Sequence, residues 1–161
     1  MTTYRYFSFD SSVERKLFDD TFVTALVDFL SDHLDDYGDT PEDIRRCLDY
    51  ATSDAEGKGG AVLLALAADE TRGDDVAPTD IYGAVVCNAT GMHGYIPENI
   101  LVYIAVRRDQ RGQGIGQEMM KQVLEHLSGS VALHVEPDNP AKALYEKLGF
   151  TAKYLEMRLY R

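Results

Sequence analysis

The stretch RRDQRGQGIGQEMM, residues 107 to 120, decides how the chain around it folds. Three glycines, Gly112, Gly114 and Gly116, alternate with other residues in it, and glycine allows tight turns and close approach to the backbone. The first N–H groups of a helix have no partner within the helix, so a helix that begins here would present them to an anion. The stretch therefore predicts a turn that binds a phosphate-bearing ligand, with Arg107, Arg108 and Arg111 as cationic forks beside it.

The sequence on either side of the glycines supports this interpretation. Residues 100–106, ILVYIAV, are almost continuously apolar, which is typical of a strand covered on both faces. From Gly114 onward, apolar residues recur at helical spacing until residues 128–129. The glycines thus lie between a buried strand and an amphipathic helix.

The rest of the chain alternates between the two patterns. A capping-box signature, Ser11 with Glu14, opens one long or two consecutive helices that reach Leu34, and Thr40 with Pro41 starts another that fades near Asp54. A last helix follows Asn139-Pro140 and runs to Leu148. Further strands are predicted over 4–9, 61–67, 81–88, 131–135 and 154–160.

Length and composition predict a single domain over residues 1–161. No apolar run approaches the roughly 20 residues of a membrane-spanning helix, and the N-terminal residues lack the apolar core of a secretory signal. We therefore expect a cytoplasmic protein without a membrane partner. Cys47 and Cys87 show no metal-ligand or disulfide spacing, and the histidines show none for a metal.

The formal net charge of −11 argues against nucleic acid as a partner, since phosphate backbones require clustered Lys and Arg. Residues 10–54 hold thirteen acidic against four basic residues. Two interpretations stay open: solvated helix faces, or a field that attracts an amine or a basic peptide.

The glycine spacing narrows the choice of phosphate ligand. A nucleotide-triphosphate loop needs GxxxxGK followed by Ser or Thr, but Gln117 follows the last glycine. A dinucleotide fingerprint needs GxGxxG, and here the third glycine comes one residue early, at Gly116. Neither site fits.

The segment Arg111-Gly-Gln-Gly-Ile-Gly116 resembles the signature of the GNAT superfamily of acetyl-coenzyme A-dependent N-acetyltransferases. Residues 133–150, with the pattern LYxxxGF, look like the second motif of that family. The resemblance implies an α/β fold with a mixed central sheet, splayed between its two central strands and flanked by helices. It also implies acetyl-CoA as acetyl donor.

Site residues follow from the same resemblance. The pyrophosphate would be held by the backbone of Arg111, Gly112, Gln113, Gly114, Ile115, Gly116 and Gln117. The backbone at Ile104 and Val106 would bind the pantetheine arm. Tyr145 matches the tyrosine that protonates the departing thiolate. Asn139 either contacts pantetheine or only caps its helix.

A base must also accept a proton from the attacking amine. Some family members place a glutamate where this chain has Ile100, so Glu98, two residues earlier, is the first candidate. Tyr103 and His134, on the two central strands, are weaker candidates.

The expected activity is direct transfer of acetyl to a primary amine of a small molecule or peptide, without a metal. The alternative is a non-catalytic acyl-CoA-binding sensor or regulatory module. Selectivity is expected from the acidic N-terminal helices and from the loop 88–98, through Met92, His93 and Tyr95. The last strand would leave an edge that a second copy could cover, which makes a homodimer an open expectation.

Overall fold

The computed structural model describes residues 1–8, 16–68 and 76–161. Five strands form one mixed sheet in the order β1-β2-β3-β4-β5, and all neighbours are antiparallel except β4 and β5. The strands are Thr2–Ser8 (β1), Gly60–Ala67 (β2), Ile81–Ala89 (β3), Asn99–Val106 (β4) and Val131–Leu133 (β5). The predicted mixed α/β fold is confirmed.

Four α-helices accompany this sheet in the described ranges: Asp20–His33 (α1), Pro41–Ala51 (α2), Ile115–His126 (α3) and Ala141–Lys147 (α4). The predicted start of α2 is confirmed, because the Thr40 side chain accepts a hydrogen bond from the Asp43 N–H and Pro41 occupies the first turn. The capping box predicted at Ser11 and Glu14 lies outside the described residues.

The sheet separates two apolar clusters. Alternate residues of a strand point to opposite faces, so Val62 and Leu64 of β2 pack with α1 and α2, whereas Leu63 packs with α3 and Tyr145. The strands are therefore buried on both faces, as their continuous apolar sequences predicted. Each helix in the described ranges is too short or too polar to cross a membrane.

The C-terminal segment differs from prediction. Residues 154–160 were expected to form a strand, but residues 151–161 form no helix or strand and all are exposed. A strand is held by hydrogen bonds to a neighbour, and no described residue pairs with this segment. As a result β5 is the edge strand, and the opening of the sheet lies beside its edge rather than at its centre.

Candidate active site

The site begins where β4 and β5 part. Their parallel pairing joins only three residues of each strand, ending at Leu101 opposite Leu133. β4 continues to Val106, so its last five residues have no strand partner on the side of β5 among the described residues. Ile104 and Val106, the positions predicted for the pantetheine arm, are half-buried in this unpaired part.

The glycine turn follows directly and leads into α3. Gly112 and Gly114 have φ angles of +77° and +80°, in the left-handed region that favours glycine, and Gly114 is the N-cap of α3 without a side-chain capping bond. No described atom lies within 4 Å of where a Cβ of either glycine would stand. Their side-chain positions are therefore open.

The backbone of this turn is unusually rich in free donors. Arg111 N–H makes a long bond of 3.4 Å to Arg108 O, but the N–H groups of residues 112–117 donate no hydrogen bond to any described residue. They lie at the positive end of the α3 dipole. Such an array fits an anion with several oxygens, and it fits the pyrophosphate of coenzyme A without help from a side chain.

Gly116 has a different role from the other two glycines. Its φ is not positive, and a Cβ there would stand 3.6 Å from Val106 Cγ2 and 3.9 Å from Leu144 Cδ2, which are ordinary contacts. Alanine would fit at this position.

The arginines do not act as the expected cationic forks, because carboxylates of the protein already bind them. Arg107 pairs with Asp109 at 2.7 Å and covers the Tyr82 ring. Arg108 and Arg111 both bind Asp35, at 2.7 and 2.8 Å. An anion at this turn would therefore meet backbone N–H groups and not free arginine side chains.

Asp35 connects the end of α1 to the glycine turn. It is the one non-glycine residue of the described chain with a positive φ, 55°. Arg111 also donates to His33 O at 2.7 Å and to Val106 O at 3.1 Å, so one side chain joins α1, β4 and the turn. Hydrogen bonds from Arg111 and then Arg108 lower the pKa of Asp35.

The residues after Asp35 reach two further parts of the site. Tyr37 donates from its hydroxyl to Asp138 O at 3.3 Å, in the loop before α4. The buried Tyr103 of β4 donates to the exposed Asp39 carboxylate at 2.6 Å. Burial and then this carboxylate raise the pKa of Tyr103. We call residues 35–39 the acidic bridge, since they contact the glycine turn, β4 and the β5–α4 loop.

Tyr145 lies on α4 within the cluster beneath the open side of β4. Its side chain is buried and packs edge-on against Phe150, with ring centroids 6.0 Å apart. The hydroxyl makes no hydrogen bond to a described residue, and burial raises its pKa to about 12. The phenol is thus protonated at neutral pH and free to donate.

Asn139 stands at the start of α4. Its Oδ1 accepts from the Ala141 N–H at 2.9 Å, which is a capping interaction. This occupies the side-chain oxygen and leaves the amide nitrogen available, so capping and a contact with pantetheine are compatible.

Glu98 lies at the far end of β4 from the glycine turn. Its Oε2 accepts from the Ser130 N–H at 2.6 Å, and this bond lowers the pKa of Glu98. A Cβ on Gly129 would stand 2.7 Å from the Glu98 carboxyl carbon. In the structure, Glu98 therefore links the α3–β5 turn to β4 through this hydrogen bond.

The loop 88–98 lies at the same far end, because β3 runs antiparallel to β4. Thr90 N–H donates to Glu98 O and Ala89 N–H to Gly59 O. Met92, His93 and Tyr95 are exposed there. The glycine turn is at the opposite end of β4, and the hypothesis that these three residues select the acceptor stays a prediction. His134 is exposed directly after β5, where that strand leaves β4.

A strand that loses its neighbour beside a glycine turn with free N–H groups is an arrangement that can hold an extended ligand bearing a phosphate group. The profile described as Acetyltransferase (GNAT) domain matches residues 55–152. This match covers more than half of the chain, so the protein belongs to the GNAT acetyltransferase family and is an acyltransferase. A sequence comparison with curated proteins finds no match.

Solved structures share the fold at low identity. A chain of the NatC complex crystallised with Gag peptide and CoA is 18% identical, with a TM-score of 0.62, over 92% of this chain and 84% of that one. The ribosomal-protein-S18-alanine N-acetyltransferase of Escherichia coli is 16% identical, with 0.58, over 94% and 78%. A transcriptional regulator from Bacillus halodurans C-125 is 16% identical, with 0.62, over all of both chains.

Proposed function

We propose that this protein transfers acetyl from acetyl-CoA directly to a primary amine of a small molecule or peptide. The observation that carries the proposal is the set of free N–H groups at residues 112–117 beside the unpaired end of β4. An anion site alone would suit many ligands. An adjoining strand edge adds room for an extended arm that hydrogen-bonds like another strand.

The donor site follows from these two features. Residues 111–117 would hold the pyrophosphate through their backbone, and β4 would hold the pantetheine arm at Ile104 and Val106. A backbone N–H of β4 would donate to the thioester oxygen, where negative charge develops during acyl transfer. Acetyl-CoA supplies the activated acyl group, so the protein needs neither a nucleophile of its own nor a metal.

Tyr145 is proposed as the proton donor to the departing thiolate. Its hydroxyl has no competing partner among the described residues, and its raised pKa keeps it protonated. A thiol has an ordinary pKa of about 8.5, so a phenol near 12 donates only while the thiolate is held close and desolvated. Burial of the ring provides such surroundings.

Two carboxylates are candidates for the base. Glu98 is the one predicted from sequence, but it lies four residues before the start of the unpaired part of β4, roughly 13 Å along a strand, and would need a chain of water molecules. Asp39, in the acidic bridge, instead touches Tyr103 within that unpaired part. We favour Asp39 because it stands at the opening and bears a charge that attracts an ammonium group.

The acceptor is proposed to be cationic before it reacts. Asp32, Asp35, Asp36 and Asp39 lie at and after the end of α1, beside the proposed donor site. A positively charged amine would be drawn to this surface. One structural neighbour was crystallised with a peptide and another is described as a ribosomal-protein N-acetyltransferase, which supports a peptide N-terminus as one acceptor to test. A cytoplasmic, single-domain protein remains our expectation.

The test is thiol release from acetyl-CoA with a panel of amines, which includes peptides with different N-termini, polyamines and amino acids. Turnover with any of them supports the proposal. The alternative is an acyl-CoA-binding sensor. A structural neighbour described as a transcriptional regulator is the reason to test it. Tight acetyl-CoA binding without turnover on any amine would favour that alternative.

A further inference from the structure

The C-terminal segment, residues 151–161, exposes apolar side chains that soluble proteins usually cover. Between 78% and 87% of the surface of five large residues is accessible: Tyr154, Leu155, Met157, Leu159 and Tyr160. Single exposed apolar residues are common, but a contiguous run of them marks a surface that binds another molecule. We call this segment the arm.

The arm has the alternating sequence of a strand, although it forms none in the single chain. The Arg158 side chain bonds Glu156 at 3.0 Å, and Tyr160 also interacts with Arg158. In an extended backbone, residues two apart lie on the same side. Leu155, Met157 and Leu159 would then share the opposite side, with Lys153 and Arg161 at its two ends. The arm therefore has the pattern of an amphipathic strand, and it pairs with no strand of the described chain.

The sheet offers a matching edge. β5 pairs with β4 on one side only, and its other side bears no strand among the described residues. Val131, Leu133 and Val135 are only half-buried, although they pack against the α3 and α4 cluster. Unpaired edges of this kind are templates for another strand.

We propose that the arm of one copy pairs with the β5 edge of a second copy, and that the exchange is reciprocal in a two-fold dimer. In its own chain the arm starts from Phe150, whose N–H donates to Tyr145 O and whose ring packs on Tyr145. From this anchored point it extends into solvent instead of along its own β5. A second copy presents the same edge, and reciprocal exchange closes both edges at once.

Charge favours a second copy as the occupant. The arm carries Lys153, Arg158 and Arg161 against the single acid Glu156, whereas the whole chain has a net charge of −11. Glu136 and Asp138 are exposed directly after β5, at the end of the edge that would receive the arm. A basic arm on an acidic protein favours pairing of the arm with the acidic surface of another copy. The same charges disfavour pairing between two arms.

The surface available is adequate for a stable dimer. A standard interface buries about 800 Å² on each partner. Each tyrosine alone offers roughly 150–250 Å², and reciprocal exchange buries two arms and two edges. Five large side chains in each arm bring the total into that range.

The first experiment is sedimentation of residues 1–161 over a range of concentrations. A Met157→Glu, Leu159→Glu variant places charge on the apolar side of the arm, and Glu156→Gln is a matched control on its other side. We expect a dimer for the wild type and the control, and a monomer for the double variant. Because these side chains are exposed, the changes cannot unfold a monomer. A wild type that is monomeric throughout, or a double variant that is still dimeric, would overturn the proposal.

A second experiment distinguishes exchange from pairing of the arm with its own β5. Cys47 and Cys87 are buried, and burial raises the pKa of both thiols to about 12, so they react slowly. Cysteines introduced as Ala132→Cys on β5 and Met157→Cys on the arm can be joined with a short bismaleimide. A covalent dimer supports exchange. A monomer with an internal cross-link, or no cross-link at either level, contradicts it.

Discussion

The glycine turn and the acidic bridge lie side by side, yet they are built in opposite ways. The turn uses backbone conformation: φ angles of +77° and +80° at Gly112 and Gly114, and N–H groups left free by the start of a helix. The bridge uses side chains, and its contacts join residues 64 to 101 positions apart. We propose the first as the site of the acetyl donor and the second as the site of the acceptor.

The difference separates two kinds of perturbation. Changes in the turn should affect binding of acetyl-CoA and leave the choice of amine unchanged. Changes in the acidic bridge should affect the amine, or the stability of the α1 end, and leave the affinity for acetyl-CoA nearly unchanged. A turn variant with an altered preference for the amine, or a bridge variant with weakened acetyl-CoA binding, would show that the two regions act together.

The largest effect is expected from Gly114→Asp. Aspartate tolerates the left-handed region better than most residues, and there is open space at its Cβ, so the variant should fold. Its carboxylate would face the pyrophosphate. We expect the affinity for acetyl-CoA, measured by calorimetry, to fall at least about 100-fold, or about 2.8 kcal/mol.

Gly116→Ala is the matched control, because its Cβ makes only ordinary contacts and adds no charge. Its affinity should stay within about threefold of the wild type. If a folded Gly114→Asp protein bound acetyl-CoA normally, this turn would not be the pyrophosphate site.

The next effect is expected from Tyr145→Phe, which keeps the ring and removes a hydroxyl that bonds no described residue. The value of kcat should fall about 100-fold, as for loss of a general acid, with acetyl-CoA affinity unchanged. Since burial raises the pKa of Tyr145 to about 12, the phenol keeps its proton below about pH 11. An alkaline loss of wild-type activity near pH 9 that disappears in the variant would contradict the raised pKa, and an unchanged kcat in Tyr145→Phe would contradict the role of proton donor.

These two predictions concern the part of the site that the sequence revealed. Gly112, Gly114 and the helix start are local features, and a local pattern encodes them because the backbone conformation of a turn depends on the residues within it. The same holds for Thr40 and Pro41 at the start of α2. The resemblance implied that β4 parts from its parallel neighbour, and this is confirmed, although that neighbour, β5, is an edge strand and not a central one.

The acidic bridge could not be predicted in this way. Asp35 is one of many acids in its segment, and its partner Arg111 is 76 residues away. The arginines next to the glycines were interpreted as phosphate ligands because the carboxylates that neutralise them come from another part of the chain. The strand predicted at 154–160 has the right alternation, but an alternating pattern does not specify the strand that will pair with it.

A smaller effect is expected from Asp39→Asn, which keeps a side-chain oxygen to accept the Tyr103 hydrogen bond but removes the charge. We expect kcat/KM for the amine to fall about tenfold, with acetyl-CoA affinity unchanged. Asp36→Asn, with the same loss of charge three residues away, is the control and should change it less than about twofold. Glu98→Gln tests the other candidate base. A larger loss of kcat/KM in Glu98→Gln than in Asp39→Asn would identify Glu98 as the base.

The smallest effect concerns stability at Asp35. Asp35→Asn and Asp35→Gly both tolerate its positive φ, and both remove the ion pairs with Arg108 and Arg111. The side chain is 38% exposed, so solvent screens these pairs and we expect each variant to lose only about 0.5–1 kcal/mol of unfolding free energy at pH 7.

The sign of the pH dependence follows from the direction of the pKa shift at Asp35. The two arginines lower its pKa in the folded protein, so its stabilising effect is complete above the unfolded value of about 3.9 and is lost as pH falls through the folded value. Urea unfolding curves of the wild type and Asp35→Asn should therefore converge in acid and in high salt. Asp35→Ala should lose about 1 kcal/mol more than Asp35→Gly, since alanine strains the left-handed backbone. Equal stability of Asp35→Ala and Asp35→Gly would mean that the backbone relaxes there, and the bridge would then be held by its charges alone.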